Sequence, residues 1–104
     1  MNTESNFQSI WTYEIDGRYR TEFLVAYGST GSWVELFRQC AGYIGTELKQ
    51  DTANPDRFLT IDRWQSQSTF AAMKQTIGDA YRELDARCEA YTLSEHHVGF
   101  FADC

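Results

Sequence analysis

At 104 residues the chain has room for one packed core and not two, and its 42% hydrophobic and 15% aromatic content is enough to build one. A net charge of −6, with only nine scattered Lys and Arg, argues against a nucleic-acid partner, which would need clustered basic residues. No apolar run approaches the ~20 residues that cross a bilayer, and the polar start MNTESNFQ does not read as a secretory leader. Cys40, Cys88 and Cys104 are few, odd in number and far apart, so a reduced, cytoplasmic protein without a zinc site is expected.

After a loose Met1 to Asn6, alternation over Phe7 to Ile15 predicts a strand with Phe7, Trp11, Tyr13 and Ile15 on one face. Asp16-Gly17 closes it as a turn. Tyr19, Phe23 and Tyr27 recur at helical spacing, and Gly28 to Gly31 interrupts that helix. Ser32 and Glu35 fit a capping box that restarts it, with Trp33, Leu36, Phe37 and Cys40 as the inward stripe and Gly42 as the stop.

Two further strands follow, Gly42 to Gln50 and Arg57 to Gln65, joined across Asn54-Pro55-Asp56 as an antiparallel hairpin. Ser66 or Ser68 can cap a second helical region, with Phe70, Met73 and Ile77 turned inward. Gly78-Asp79 should break or kink it before Tyr81, Leu84, Cys88 and Tyr91 resume the helical spacing. The last strand is Leu93 to Ala102.

The order β-α-β-β-α-β is that of a ferredoxin-like α+β fold: one antiparallel sheet with bent helices on one face, in a single domain spanning residues 1–104. Strand parity leaves open which face meets the helices. The usual preference of aliphatic side chains for the helix side would put Leu59 and Ile61 inward and turn Asp62 and Trp64 outward. Large apolar residues fall on both faces, with Trp11, Phe58, Trp64 or Phe101 on the outer one according to parity. The expected cover for that face is a second copy, sheet against sheet, in a homodimer.

The runs FLVAYGSTGSWVELF, GYIGTEL, RFLTIDRW with Ser66, YRELD and SEHHVGFF resemble the antibiotic biosynthesis monooxygenase-like domains, across Phe7 to Phe101. The resemblance implies a dimeric α+β barrel. It also implies a choice among activities, since relatives include cofactor-free oxygenases of polyketide anthrones and quinols, and haem-degrading monooxygenases. The haem degraders use an asparagine on the first strand plus a tryptophan and a histidine in the second helical region. Here Phe7 to Ile15 holds no Asn, Met73 stands about where the tryptophan would lie, and Ser66 to Tyr91 holds no His. Haem degradation is therefore not expected, and no metal, flavin or haem cofactor is.

Candidate chemistry rests on few residues. His96 and His97 are adjacent on a strand and point to opposite faces, so they cannot share a metal. Glu95 and His97 share a face and suit proton transfer; the structural alternative is a polar pair at the dimer interface. Asp62 can act as a base beside an aromatic wall, or simply pair with a neighbouring Arg. Tyr13, Tyr43 and Tyr81 can donate to a quinone-like oxygen. Interrupted helices leave gaps, so a cavity is expected between helices and sheet. Its candidate catalytic residues are His97, Asp62 and Tyr81, and its candidate substrate-binding residues are Trp33, Phe37, Trp64, Met73 and Tyr13. Two functions follow: a cofactor-free oxygenase of a small aromatic, quinol- or polyketide-like substrate, or a non-catalytic dimer binding a small hydrophobic ligand. Neither involves nucleic acid or a membrane.

Overall fold

The computed structural model describes residues 7–104, so the loose segment expected at Met1 to Asn6 lies outside the described residues. Four strands, β1 (Phe7–Ile15), β2 (Tyr43–Gln50), β3 (Arg57–Trp64) and β4 (Thr92–Phe101), form one antiparallel sheet in the order β2-β3-β1-β4. The helices α1 (Arg20–Tyr27), α2 (Ser32–Phe37) and α3 (Gln67–Cys88) accompany it, as a ferredoxin-like α+β fold requires. No helix among the described residues is long and apolar enough to cross a membrane.

The first helical region is bent as the glycines foretell. Gly28 caps α1, its N–H donating to the Leu24 carbonyl, and Gly31 takes the extended N-cap position of α2. Gly31 has no substitute there, because a Cβ would lie 2.3 Å from the Val25 carbonyl oxygen. The Ser32–Glu35 capping box does not form. With Gly31 as N-cap, Ser32 is already inside the helix, and the Glu35 carboxylate turns to Arg38 at 3.3 Å instead. Gly42 does not end α2 directly; at φ +87° it turns the chain into β2.

Helix α3 begins with a true reciprocal cap: Thr69 N–H donates to Ser66 Oγ, and Ser66 N–H to Thr69 Oγ1, both at 3.2 Å. It runs on through Gly78-Asp79 but kinks at Ile77 (φ −126°, ψ 22°), one residue before the glycine.

The sheet's inner face differs from the aliphatic expectation. Tyr13, Phe58, Thr60 and Trp64 turn toward the helices, together with Asp62, while Leu59 and Ile61 turn away. Aromatic rings decide this parity. Trp64 is 0% exposed and packs against Phe37, Tyr43 and Phe70, and Phe58 packs on Phe23. These large rings fill the distance that the interrupted helices leave above the sheet.

Three bulges shift the simple alternation further. Ile44 is extra to the β2–β3 pairing, and Leu93 and Val98 are extra to β1–β4. Tyr43 thereby joins Thr46 on the inner face, and Phe100 replaces Phe101 there, stacked on Phe7 and edge-on to Phe70.

Candidate functional site

A cavity of about 270 Å³ lies between the sheet and the bent helices. Its floor is built by inner-face residues of all four strands: Trp11 and Tyr13 from β1, Thr46 from β2, Thr60 and Asp62 from β3, and Glu95 from β4. Its roof is Tyr27 from α1, Trp33 and Phe37 from α2, and Tyr81 and Asp85 from α3, with Glu89 in the short 3-10 turn that follows. Neither Gly28 to Gly31 nor Ile77 lines the cavity, and its exposed residues, Glu89 and Glu95, mark the mouth.

Asp62 is the chemical centre of the floor. It stands opposite Thr46 across the β2–β3 ladder, and Thr46 Oγ1 donates to Asp62 Oδ1 at 2.7 Å. That uses the only hydroxyl proton of Thr46, so the Tyr43 phenol must be the donor in its 2.6 Å contact with Thr46 Oγ1. A proton-ordered chain thus runs from Tyr43 through Thr46 to the carboxylate. Asp62 Oδ2 takes no hydrogen bond among the described residues and remains accessible from the cavity. Burial pushes the Asp62 carboxyl up to about 6, against the opposing pull of the Thr46 hydroxyl.

The phenols are donors rather than bases. Burial raises Tyr13 well above the usual phenol range despite its 2.9 Å hydrogen bond to Thr60 Oγ1, and burial likewise raises Tyr27. Tyr81 is pushed up to about 12 by burial, with the Asp85 carboxylate adding to the effect. At the mouth, burial pushes the Glu95 carboxyl up, reinforced by Asp85 and Glu89.

The structure brings Asp62, Tyr81, Tyr13, Trp33 and Phe37 into one wall, and leaves His97, Trp64 and Met73 out of it. Trp64 and Met73 are buried in the packing around the cavity, at 0% and 1% exposure. Nε2 of His97 is 3.1 Å from Ser9 Oγ, and its ring packs on Trp11 and Phe100. The expected Glu95–His97 pair is not formed: His97 is held by Ser9, while Glu95 gathers with Asp85 and Glu89. Nor does Asp62 pair with an arginine; its partner is a threonine. The residues not anticipated are Trp11, Tyr27, Thr46, Thr60, Asp85 and Glu89. One signal for them is the four-residue spacing Tyr81, Asp85, Glu89, which sets Asp85 on the flank of α3 that carries Tyr81 and Glu89 just past its end.

The described residues include no group of three His, Cys, Asp or Glu arranged to hold a metal ion. The model of the antibiotic biosynthesis monooxygenase family matches residues 12–102. The chain belongs to this family. No curated protein matches it. Among solved structures, a conserved protein from Methanosarcina mazei aligns with TM-score 0.77 at 12% identity, covering 98% of this chain and 96% of that one. SnoaB, a cofactor-independent oxygenase from Streptomyces nogalater, aligns with TM-score 0.72 at 12% identity, covering 96% and 94%. A Pseudomonas aeruginosa protein aligns with TM-score 0.71 at 15% identity, covering 100% and 99%. At such identities the likeness carries the fold. The antibiotic biosynthesis monooxygenase fold here frames a cavity whose polar groups belong to this sequence.

Proposed function

We propose that this family member is a cofactor-independent monooxygenase of a small aromatic, quinol- or polyketide-like substrate. The observation that carries the reading is Asp62: a carboxylate fixed on one oxygen by Thr46 and open to an aromatic cavity on the other. Oδ2 takes a proton from an activated ring methylene, the CH2 of an anthrone or of a quinol's keto tautomer, and the phenols of Tyr13, Tyr27 and Tyr81 donate to the substrate's oxygens. The resulting electron-rich anion reacts with dioxygen directly. One oxygen atom stays on carbon as a new carbonyl. The other leaves as water with the two hydrogens that carbon loses, so no external reductant or metal is needed. The cofactor-independent chemistry of SnoaB, on a similar fold, supports this reading.

We further propose that the protein works as a homodimer through the outer sheet face, in the cytoplasm. Phe101 is exposed on that face beside half-buried Ile10, Leu59 and Ile61, and the cysteines are free thiols.

Oxygen uptake with a panel of quinols and anthrones tests the activity. Turnover that falls ~100-fold or more in Asp62→Asn is the expected result. Folded protein that consumes no oxygen with any of them overturns the enzyme reading. A second reading, a non-catalytic ligand-binding dimer, is favoured by one observation: the wall holds four carboxylates and no Lys or Arg, which opposes an anionic intermediate.

A further inference from the structure

The four wall carboxylates are unusual in having no counter-charge. The six ion pairs among the described residues join Arg18 to Asp16, Arg20 to Asp56, Arg38 to Glu35, Arg57 to Asp51, Arg63 to Glu47 and Arg82 to Asp79. None reaches Asp62, Asp85, Glu89 or Glu95. The cavity therefore carries negative charge without an ion-paired partner, from Asp62 on the floor to exposed Glu89 and Glu95 at the mouth, and the cation recorded against its wall is Lys74, 5.1 Å from the centre of the Tyr81 ring.

One further feature marks this space as a place for a ligand. Asp62 Oδ2, on the floor, takes no hydrogen bond among the described residues. The roof and walls are π faces: Trp33 stands edge-on to Tyr81 with ring centroids 5.0 Å apart, next to Phe37 and Tyr27. Aromatic faces and unpaired carboxylates around one space attract the same partner, an organic cation.

We infer that the cavity selects a small aromatic ligand carrying a positive charge, a protonated or quaternary amine, with its ring among Trp33, Phe37 and Tyr81 and its cationic group toward Asp85, Glu89 and Glu95. The inference rests on the cavity being the substrate site proposed above. It also removes the objection that the carboxylates raise against that chemistry. An ammonium group on the substrate keeps the deprotonated intermediate zwitterionic, so its anionic ring is not an unbalanced charge facing four others. A metal cation is a poor fit to the same groups, since no three of them gather as ligands.

The test compares three phenols of similar size by calorimetry with the full-length protein: (meta-hydroxyphenyl)trimethylammonium, the neutral meta-tert-butylphenol and the anionic meta-hydroxyphenylacetate. The cation should bind at least about tenfold more tightly than its neutral isostere, and the anion most weakly. Added salt should shrink the preference. Asp85→Asn with Glu95→Gln should reduce it several-fold, the cation losing more affinity than the neutral phenol. Glu89→Gln, at an exposed position, should do the same to a smaller extent and serves if the double variant does not fold. A neutral phenol that binds as well as the cation, or a preference that survives these substitutions, overturns the inference. If neutral quinols are still oxidised under those results, the oxygenase reading stands without it. If no phenol of any charge binds, both readings fall.

Discussion

Thr46 faces Asp62 across the β2–β3 ladder and holds Oδ1 of its carboxylate at 2.7 Å, which leaves a single oxygen free to meet a ligand. This pair ties the fold to the cavity, because the same strand register that closes the sheet sets the direction of the free carboxylate oxygen.

Asp62 should oppose stability at neutral pH. Folding raises its carboxyl from 3.8 to about 6, so the folded protein binds that proton more tightly than the unfolded chain. The resulting stabilisation is fully present below about pH 4 and is lost as pH rises through about 6. Asp62→Asn should therefore stabilise the protein at pH 7 by on the order of 2 kcal/mol, with little gain at pH 3. Thermal melts of both proteins across that range check it; an equal difference at every pH would contradict the cause given.

Thr46→Val should act on the same group in the opposite sense to a charge partner. Loss of the donor to Oδ1 removes the one hydrogen bond among the described residues that favours the ionised form, so the Asp62 carboxyl moves further up. The acid limb of an oxygen-uptake profile should shift to higher pH, with activity recovering as pH rises. A uniform loss at all pH values would mean that Thr46 positions the substrate rather than the proton.

Trp64 and Trp33 should separate stability from binding. Trp64 is fully enclosed by Phe37, Tyr43 and Phe70, so Trp64→Ala should cost about 3–5 kcal/mol of stability. Trp33→Phe keeps a ring in the roof and should cost less stability, while weakening binding of a cationic aromatic by several-fold. Chemical denaturation and calorimetry on both variants distinguish the roles.

The order of elements along the chain, the bent first helix and the kink in the second helical region were legible in the sequence, whereas the hairpin expected at the centre of the sheet has β2 on its border. Alternation and glycine placement are local signals, and the structure obeys them at Phe7–Ile15, Gly28–Gly31 and Ile77. Facing was not legible. One unpaired residue reverses every side chain beyond it, and nothing at Ile44 or Val98 announces a bulge. Hence Phe101 exchanged faces with Phe100, and Tyr43 joined the inner face. The site divides in the same way. Asp62, Tyr13 and Tyr81 are polar groups at inward positions and draw attention by chemistry. Trp64 and Met73 lie on the same inward stripes, but their wholly apolar surroundings appear only once the neighbouring rings are placed. Asp85 and Glu89 read as solvent charges until β4 brings Glu95 beside them.

The proposed dimer gives a prediction independent of the cavity. Ile61→Asp sets a carboxylate in the centre of the outer sheet face, flanked by Ile10 on β1 in register. Light scattering at micromolar concentration should show a dimer for the native protein and a monomer for this variant. A native monomer at that concentration would remove the proposal.

The three bulges lie on β2 and β4, the two strands that border the sheet. Each breaks the run of free backbone donors and acceptors along its border, and each turns an exposed aliphatic residue out: Ile44, Leu93 or Val98. A strand from another chain would find no continuous ladder to extend on either side. The molecule is thus guarded against open-ended growth into fibrils, and its apolar sheet surface can be left for a contact that closes on itself.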